Sequence, residues 1–447
     1  MQTRLTLQRP LLALIIVGYL VLGGLYAART PAWQVPDEPA HYNYIAQVAG
    51  GALPVLEVGD WDNDYLEAIK SSGFKPDAIG NRLGTIQYED HQPPLYYILA
   101  APVFSLTGGQ LFPLRLFSVL IGALVVLSAY ATVAALFPGQ PYLALGTAAF
   151  VAFLPQHLAM MAGVNNDCLT ELIVGLTLFA CVRWLRGGAN AGRAERNNAL
   201  LLGLLLGLGF LTKTTAYMLV FVVAAALLLR ARRERWMPAR VLRIFAVIAI
   251  PAALLGGAWW LRNVGVYGVP DVLGLRRHDA VVVGQQRTAE FITVKGTGQY
   301  LIDAVQTTFE SFWGRFGWMG VPWPRNIVTL LVFFNVFALM GASVAFVQFR
   351  ALVSPVQRDG LLVLALTALL ALLLFIYYNL SFVQFQGRYL FTALIPFGLY
   401  FTAALAGWGS LVQGKAARWL LIVGGGALLA AFAAYTLFRI IIPALAR

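Results

Sequence analysis

The sequence has little charge, almost no cysteine and few histidines. Only 12% of its 447 residues are Asp, Glu, Lys or Arg, whereas soluble domains contain about 25%. The two cysteines, Cys168 and Cys181, lie in one apolar run, so a single helix would hold them too far apart to form a disulfide. Four histidines exclude a histidine-rich metal cluster, and the sequence has neither a Walker A motif nor a GxSxG motif. These absences argue against a soluble domain, a disulfide-rich one and a nucleotide-binding P-loop.

Long apolar runs are the main feature of the chain. The sequence is 59% hydrophobic with a mean hydropathy of +0.72, and its runs match the roughly 20 residues that an α-helix needs to cross a bilayer. The runs are continuous and do not alternate, which excludes a membrane β-barrel. We predict an all-α polytopic membrane protein with eleven transmembrane helices. The predicted spans are residues 11–28, 113–136, 141–162, 169–186, 198–212, 214–230, 241–261, 326–349, 360–379, 389–412 and 419–437.

Two short arginine-rich loops give the predicted orientation. Residues 183–196 carry four arginines and residues 230–243 carry six, and such loops stay on the cytoplasmic side. Both loops are cytoplasmic only if the apolar run 93–107 does not cross. That run is too short to span, so we predict an interfacial helix whose two tyrosines suit the membrane interface. The N-terminus is then cytoplasmic, and the two large loops, 29–112 and 262–325, face outward. The same rule explains the net charge of +12 without nucleic acid as a partner.

The first predicted outer loop concentrates the acids. Residues 29–92 hold ten of the twenty carboxylates but only four Lys or Arg. Within the opening Pro-Asp-Glu-Pro-Ala-His, Asp37 is followed by Glu38 and, one turn later, by His41. Asp37 is either the N-cap of a helix over residues 38–48 or a general base, with Glu38 and His41 within reach of the same point.

A second acidic cluster closes the same loop. Glu89, Asp90 and His91 come directly before Gln-Pro-Pro-Leu-Tyr-Tyr. They form either a solvated turn that caps the interfacial helix or part of a site. Carboxylates and imidazoles bind Mg²⁺, Mn²⁺ or Zn²⁺. The candidate ligands of such a divalent metal are Glu38, His41, Glu89 and His91.

Further polar residues are predicted to share the outer face. Asp167 either caps the fourth span or joins the acids, and Lys213 either snorkels to the interface or contacts an anion. Arg388, followed by Tyr389, opens a late helix, where the helix dipole and a bidentate guanidinium favour phosphate. The aromatic segment 309–323 is either a flap that rests on the membrane or a platform that stacks on sugar or prenyl groups. The sequence leaves these alternatives open.

In combination these motifs resemble the GT-C membrane glycosyltransferases. The resemblance rests on the Pro-Asp-Glu opening, the Pro-Pro-Leu-Tyr-Tyr run after the second cluster, Asp167, and the late Gln-Gly-Arg-Tyr. It is to the branch of the protein mannosyltransferases and the lipid A aminoarabinose transferase, and nearest to bacterial membrane proteins with a PDEPxH opening. It implies a GT-C transmembrane module over residues 1–261 that includes the loop 29–112, an outer loop over 262–325, and C-terminal helices over 326–447.

The resemblance implies a function and a set of roles. Such enzymes move a sugar, with inversion, from a polyprenyl-phosphate carrier to an envelope glycolipid, polysaccharide or protein at the outer face of the cytoplasmic (inner) membrane. Carried over to this sequence, Asp37 is the base. The assigned supporting residues are Glu38, His41, Glu89, Asp90, His91 and Asp167. The residues assigned to the donor phosphate are Arg388, Lys213 and Tyr389.

Two alternatives that act on a lipid carrier remain at the level of sequence, besides a structural membrane scaffold for which Asp37 would have no role. One is a polysaccharide polymerase or ligase that uses a lipid-diphosphate oligosaccharide, and the other is a carrier flippase without chemistry. The motifs that carry the resemblance do not include an Asp-x-Asp of the kind found in metal-dependent oligosaccharyltransferases. The divalent metal (Mg, Mn or Zn) is therefore an open expectation and no cofactor is assigned.

Overall fold

A computed structural model describes residues 2–187, 192–412 and 415–445, and these residues are almost entirely helical. Within them no β-sheet forms, and only two isolated β-bridges occur. The helices are α1 (Gln2–Arg29), α2 (Glu38–Ala49), α3 (Asn63–Ser71), α4 (Pro76–Ile79), α5 (Leu95–Thr107), α6 (Leu111–Leu136), α7 (Pro141–Phe153), α8 (Pro155–Met161), α9 (Asp167–Arg186), α10 (Gly192–Phe210), α11 (Leu219–Arg233), α12 (Pro238–Tyr267), α13 (Leu275–Val281), α14 (Thr288–Trp313), α15 (Arg325–Phe349), α16 (Pro355–Asn379), α17 (Leu394–Ser410), α18 (Lys415–Tyr435) and α19 (Ile442–Leu445).

The protein is a multi-pass membrane protein. In the described ranges, nine helical stretches are long and apolar enough to cross a membrane, and α7 with α8 makes a tenth if the bent pair counts as one span. The remaining predicted span, 198–212, corresponds to α10, which is not apolar enough over its length to count as a membrane span. Its first two turns contain Arg193, Glu195 and Arg196, so the apolar part is shorter than the roughly 20 residues needed to span. The predicted count of eleven is therefore not confirmed.

The bend between α7 and α8 has a local cause. The two helices meet at 64° because Pro155 starts α8 and the preceding residue, Leu154, is extended. His157 lies just after the bend. Its Nδ1 donates to the Val151 carbonyl at 2.7 Å, and its Nε2 lies 2.9 Å from the Glu171 carboxylate on α9. The side chain thus ties the broken span to its neighbour.

The loop between α1 and α5 folds into a small unit of its own. Helices α2, α3 and α4 surround a second hydrophobic core that includes Leu66, Ile69 and Phe74. Helix α5 is too short to span, as predicted, and packs against α2 and α6. Tyr96 and Tyr97 are fully buried, however, so the prediction that they lie at the membrane interface is wrong. They belong to the protein core.

Candidate active site

Asp37 precedes α2, but its side chain does not cap that helix. The residue has a left-handed backbone (φ 66°) and makes no side-chain capping bond. Its Oδ1 accepts a hydrogen bond from the Tyr88 hydroxyl at 2.8 Å, and its Oδ2 accepts one from Arg388 Nη2 at 2.6 Å. The helix-cap interpretation of Asp37 is therefore wrong, and the carboxylate is held by partners from elsewhere in the chain.

Arg388 comes from the opposite end of the chain. It lies in a short 3₁₀ helix, Gly387–Ala393, directly before α17. The Gly387 N–H donates to Ser311 Oγ at 2.8 Å, and Arg388 Nε donates to Gln386 Oε1 at 2.7 Å. These bonds fix the backbone and one edge of the guanidinium. The side chain is only 7% exposed, so it cannot swing freely into solvent.

The ion pair influences the protonation of Asp37 itself and of Glu89. Burial alone would raise the pKa of Asp37, but the Arg388 charge and the hydrogen bonds from Arg388 and Tyr88 lower it below its ordinary value. Burial raises the pKa of Glu89, and the Asp37 charge adds to this. The site therefore holds one firmly ionised carboxylate beside one that binds a proton more readily.

A second ion pair lies close to the first. Lys213 Nζ donates to Asp167 Oδ1 at 2.6 Å. Asn165, and not Asp167, supplies the oxygen that accepts from the first N–H groups of α9, so the helix-cap interpretation of Asp167 is also wrong. Burial lowers the pKa of Lys213, but the charges of Asp167 and Glu89 outweigh this effect and raise it. The ammonium group stays charged next to the acids of the outer loop.

A polar cavity of about 320 Å³ includes the first ion pair in its wall. This volume is at the lower end of the range for small-molecule sites. Four of the predicted site residues line it, namely Asp37, Glu89, Arg388 and Tyr389. Residues of α3 and of the segment after α13 line it as well. The cavity is thus enclosed jointly by the loop between α1 and α5, the segment between α12 and α15, and the 3₁₀ helix that precedes α17.

Backbone strain is concentrated around this cavity. Six non-glycine residues of the described ranges have a left-handed φ, and five of them belong to this region. Asp37, Trp318 and Met319 line the cavity, while Trp33 accepts a hydrogen bond from Trp318 and Phe74 stacks on it. Each such conformation costs roughly 1–3 kcal/mol and persists only where the surrounding packing maintains it, which is common at functional sites.

Comparison with known proteins connects this architecture to a family. Residues 91–259 match the family described as dolichyl-phosphate-mannose-protein mannosyltransferase. The crystal structure of ArnT from Cupriavidus metallidurans bound to undecaprenyl phosphate matches with a TM-score of 0.51 at 14% identity, over 98% of this chain and 73% of that one. The chain has the GT-C fold. At this level of identity the likeness to ArnT is one of fold.

Two further GT-C structures match with lower scores. Apo ArnT from Cupriavidus metallidurans has a TM-score of 0.41 at 15% identity, over 91% of this chain and 73% of that one. The oligosaccharyltransferase of Archaeoglobus fulgidus, tethered to an acceptor peptide, has a TM-score of 0.42 at 14% identity, over 91% of this chain and 55% of that one. No curated protein sequence matches the chain.

Two residues of the first acidic cluster have other partners in this GT-C chain. Glu38 is fully buried and accepts from Arg115 Nε at 2.7 Å and Nη2 at 2.6 Å. His41 Nδ1 lies 2.9 Å from the Tyr97 hydroxyl. Glu38 is not part of the cavity wall; it connects the outer loop to α6, where Arg115 lies. Arg115 also donates to three backbone carbonyls around the end of α1, those of Ala27, Thr30 and Pro31.

The second acidic cluster divides in a similar way, because only Glu89 of its three residues lines the cavity. Asp90 accepts from Gln47 Nε2 at 2.8 Å, and the ring of His91 packs against His278 with centroids 4.4 Å apart. Within the described residues, no group of three or more His, Cys, Asp or Glu side chains is arranged to hold a metal ion. The four side chains predicted as metal ligands therefore do not converge on one point.

The aromatic segment 309–323 packs into the protein and does not form a flap on the membrane. Trp313 and Trp323 are buried in the main core, where Trp313 contacts Phe401 of α17. Trp318 lines the cavity instead. The platform interpretation stays a prediction, and Trp318 is the tryptophan of the segment whose position allows it.

Several residues of the site were not found from the sequence. Tyr88 stands directly before the acidic cluster, but no pattern indicates that its hydroxyl reaches Asp37. Arg115 gave a usable signal, since an arginine within an apolar span is rare and is almost always paired. Trp61 and Gln386 gave no usable signal, because isolated aromatic and amide residues are common in loops.

Proposed function

We propose that this GT-C protein is an inverting glycosyltransferase that moves a sugar from a polyprenyl-phosphate carrier to an acceptor of the cell envelope. The observation that carries this proposal is the Asp37–Arg388 ion pair in the wall of a polar cavity. It joins a carboxylate and a guanidinium at 2.6 Å across 351 residues of sequence. Attack by a hydroxyl on a phosphate-linked sugar needs a base for the hydroxyl and a cation for the departing phosphate.

The two ion pairs have distinct tasks in this reaction. The carrier phosphate binds Arg388 by its guanidinium N–H groups, with Lys213 as the second cation. Phosphate then competes with Asp37 for the guanidinium charge, which raises the basicity of the carboxylate when donor is present. Asp37 accepts the acceptor's hydroxyl proton while the oxygen bonds to the anomeric carbon from the face opposite the phosphate. The bond from carbon to phosphate oxygen breaks, and the electron pair leaves with the carrier phosphate.

Similar proteins support the choice of carrier. ArnT, whose fold this chain shares, is described as binding undecaprenyl phosphate, and the family that matches residues 91–259 is described by its dolichyl-phosphate-mannose donor. Both lipids are polyprenyl monophosphates. This favours a monophosphate carrier over the lipid diphosphate that a polymerase or ligase would use. No step of the mechanism requires a metal, since two cations of the chain are available for the phosphate.

The proposal includes the outer face of the cytoplasmic membrane as the location of the site. Asp167 begins α9, and the arginines Arg183 and Arg186 lie at its other end. Lys213 precedes α11, whose last turn contains three further arginines. Because arginine-rich helix ends stay in the cytoplasm, the opposite ends, which carry the ion pair, face outward.

The assignment of the base is tested by Asp37→Asn. We expect the purified variant to bind undecaprenyl phosphate but to transfer sugar about 10²–10⁴-fold more slowly, because the acceptor proton has no base. Turnover is followed with an undecaprenyl-phosphate sugar as donor. Asp77→Asn, an exposed acid of the same loop, serves as the matched control and should retain full activity.

Near-normal turnover by Asp37→Asn would remove Asp37 as the base. The same assay separates the rival functions. Consumption of an undecaprenyl-diphosphate oligosaccharide in preference to the monophosphate would identify a polymerase or ligase. Movement of carrier across proteoliposomes without a new glycosidic bond would identify a flippase.

A further inference from the structure

The part of the cavity wall that α3 forms, hereafter the roof, is polar and lies outside the membrane-spanning helices. Asn63, Glu67 and Lys70 of α3 all line the cavity, and their spacing of four and three residues places them on one helix face. Lys70 Nζ bonds Glu67 Oε1 at 2.7 Å, and their side chains are 23% and 60% exposed. The roof thus presents an amide, a carboxylate and an ammonium group to whatever enters.

An aromatic ring packs on the tyrosine that binds the proposed base. Trp61 lines the cavity and packs edge-to-face on Tyr88, with ring centroids 5.1 Å apart. Tyr88 in turn donates to Asp37. The Trp61 indole N–H is already bonded to the Val283 carbonyl at 2.5 Å, so the ring is fixed in orientation. This indole therefore contacts the residue that binds the base, and Tyr88 lies between it and Asp37.

A second indole borders the same space. Trp318 donates its indole N–H to the Trp33 carbonyl at 2.8 Å and is supported from behind by Phe74. Lys70 Nζ lies 4.6 Å from the ring centroid. Both Trp318 and Met319 have left-handed backbones, so this turn keeps a strained conformation while it forms part of the cavity wall. Strain maintained at a lining residue indicates that its position matters for binding.

The wall also contains an unused hydrogen-bond acceptor. Gln285 lines the cavity, and its Oε1 is buried without a hydrogen-bond partner in the part of the chain that the structure describes. Buried polar oxygens of this kind are normally satisfied. A hydroxyl of a bound molecule would satisfy it if the side chain turned this oxygen, which is closed to solvent here, towards the cavity.

We propose that Trp61, Asn63, Glu67, Lys70, Gln285 and Trp318, hereafter the roof subsite, bind a sugar ring of the acceptor, so that the acceptor is a saccharide. This inference rests on the proposed function. The C–H groups of a pyranose ring are attracted to the negative face of an indole, and its hydroxyls match planar amides, a carboxylate and an ammonium group. A prenyl chain would need an apolar wall instead.

The position of the roof subsite assigns the ring to the acceptor and not to the donor. The donor's phosphate is bound at Arg388, at the start of a membrane span, and its lipid arrives through the bilayer. The roof helix α3 belongs to the separate core of the outer loop. A molecule that enters beneath it reaches Asp37 from the aqueous side, as an acceptor hydroxyl must.

The test measures saccharide binding to the full-length protein in nanodiscs with saturating undecaprenyl phosphate. The probes are free glucose, galactose, mannose, N-acetylglucosamine, glucuronate and their disaccharides. Their binding is detected by saturation-transfer NMR. We expect at least one probe to bind, and Trp61→Ala and Lys70→Ala to weaken it about tenfold. Trp419→Ala removes an indole that packs on Tyr142 away from the cavity and should bind as the wild type does.

Three outcomes would overturn the roof subsite. The first is that no probe binds to the wild type. The second is that the wild type, Trp61→Ala and Lys70→Ala bind the probes equally well. The third is that undecaprenyl-phosphate sugar displaces the probe while the bare carrier does not, which would assign the ring to the donor. Lys70→Ala changes an accessible side chain, so it keeps the test valid if Trp61→Ala fails to fold. Arg388→Ala separates the two proposals, because it should abolish carrier binding and leave saccharide binding intact.

Discussion

At the scale of single residues, the outer-loop acids differ because their partners differ. Asp37 is kept ionised by its guanidinium partner, and Glu38 is paired in the core with Arg115. Asp90 accepts a side-chain bond from the amide of Gln47 and, among the described residues, has no cationic partner. Acids that are adjacent in the sequence, such as Asp37 and Glu38, thus have different partners. The left-handed backbone of Asp37 is what separates it from Glu38, since it directs the two adjacent side chains to different parts of the structure.

Asp90 should make the stability of the protein depend on pH. The residue is 1% exposed, and burial raises the pKa of its carboxyl to about 8. An unfolded Asp ionises near about pH 4, so the folded state holds the proton more tightly. This contribution to stability is full below that pH and is lost as the pH rises towards 8. We expect Asp90→Asn to raise the melting temperature by several degrees at about pH 8.

The gain from Asp90→Asn should be much smaller at about pH 5, where the wild-type carboxyl is protonated in the folded state. Thermal unfolding in detergent at both pH values measures this difference. Asp77→Asn, an exposed acid, should give the same melting temperature as the wild type at each pH. An equal gain for Asp90→Asn at the two pH values would show that its protonation does not contribute.

At the scale of helices, the sequence predicted positions well where a pattern repeats. The predicted helix over 38–48 corresponds to α2, and the run 93–107 forms the short helix α5 that does not span. Apolar runs give such boundaries because burial in lipid requires them. The bend after α7 and the short apolar part of α10 were not predicted, since they depend on one proline and on charged residues within otherwise apolar runs.

The contact between α14 and the 3₁₀ helix of Arg388 depends on a missing side chain. A Cβ at Gly387 would lie 2.5 Å from the Thr308 carbonyl oxygen and closer still to the Phe312 amide nitrogen. We expect Gly387→Ala to displace Arg388 from Asp37 and to weaken undecaprenyl phosphate binding about tenfold or more, although no polar group is removed. Binding is measured by titration of the purified protein with the carrier.

A second glycine provides the control for this prediction. A Cβ added at Gly424 of α18 would meet no atom within 4 Å, so Gly424→Ala should leave carrier binding unchanged. Unaltered carrier binding by Gly387→Ala would mean that the helix accommodates the methyl group without moving Arg388.

At the scale of the whole molecule, the site depends on contacts that the sequence does not reveal. Five residues stand out in the sequence because they are charged in an apolar chain, namely Asp37, Glu89, Asp167, Lys213 and Arg388. Their pairing does not, because no local pattern relates residues from the first loop to residues near the last helices. The roof subsite was missed for the same reason, as α3 and Trp318 meet only through the tertiary fold.

One buried ion pair attaches the outer loop to the membrane helices. Glu38 and Arg115 have side chains that are 0% and 3% exposed. Removing one partner leaves an uncompensated buried charge, so we expect Glu38→Ala to lower the free energy of unfolding by about 3–5 kcal/mol. Thermal and denaturant unfolding in detergent provide the measurement.

An exposed pair of the same type is the comparison for Glu38→Ala. Asp279 and Arg287 form an ion pair whose side chains are 52% and 38% exposed, and Asp279→Ala should cost less than about 1 kcal/mol. If Glu38→Ala were as mild as Asp279→Ala, the loop would be attached to the bundle by apolar packing alone.

The distance along the chain between Asp37 and Arg388 has a consequence for biosynthesis. Arg388 lies 351 positions after Asp37, and at typical rates of synthesis this stretch takes roughly 20–70 s to be made. Under the proposed function, the first loop is exported during this time, while the carboxylate of Asp37 still lacks its cationic partner Arg388. If the proposed function holds, the nascent protein is inert towards lipid carriers until one of its last membrane helices has been inserted, and chains that terminate early do not consume donor.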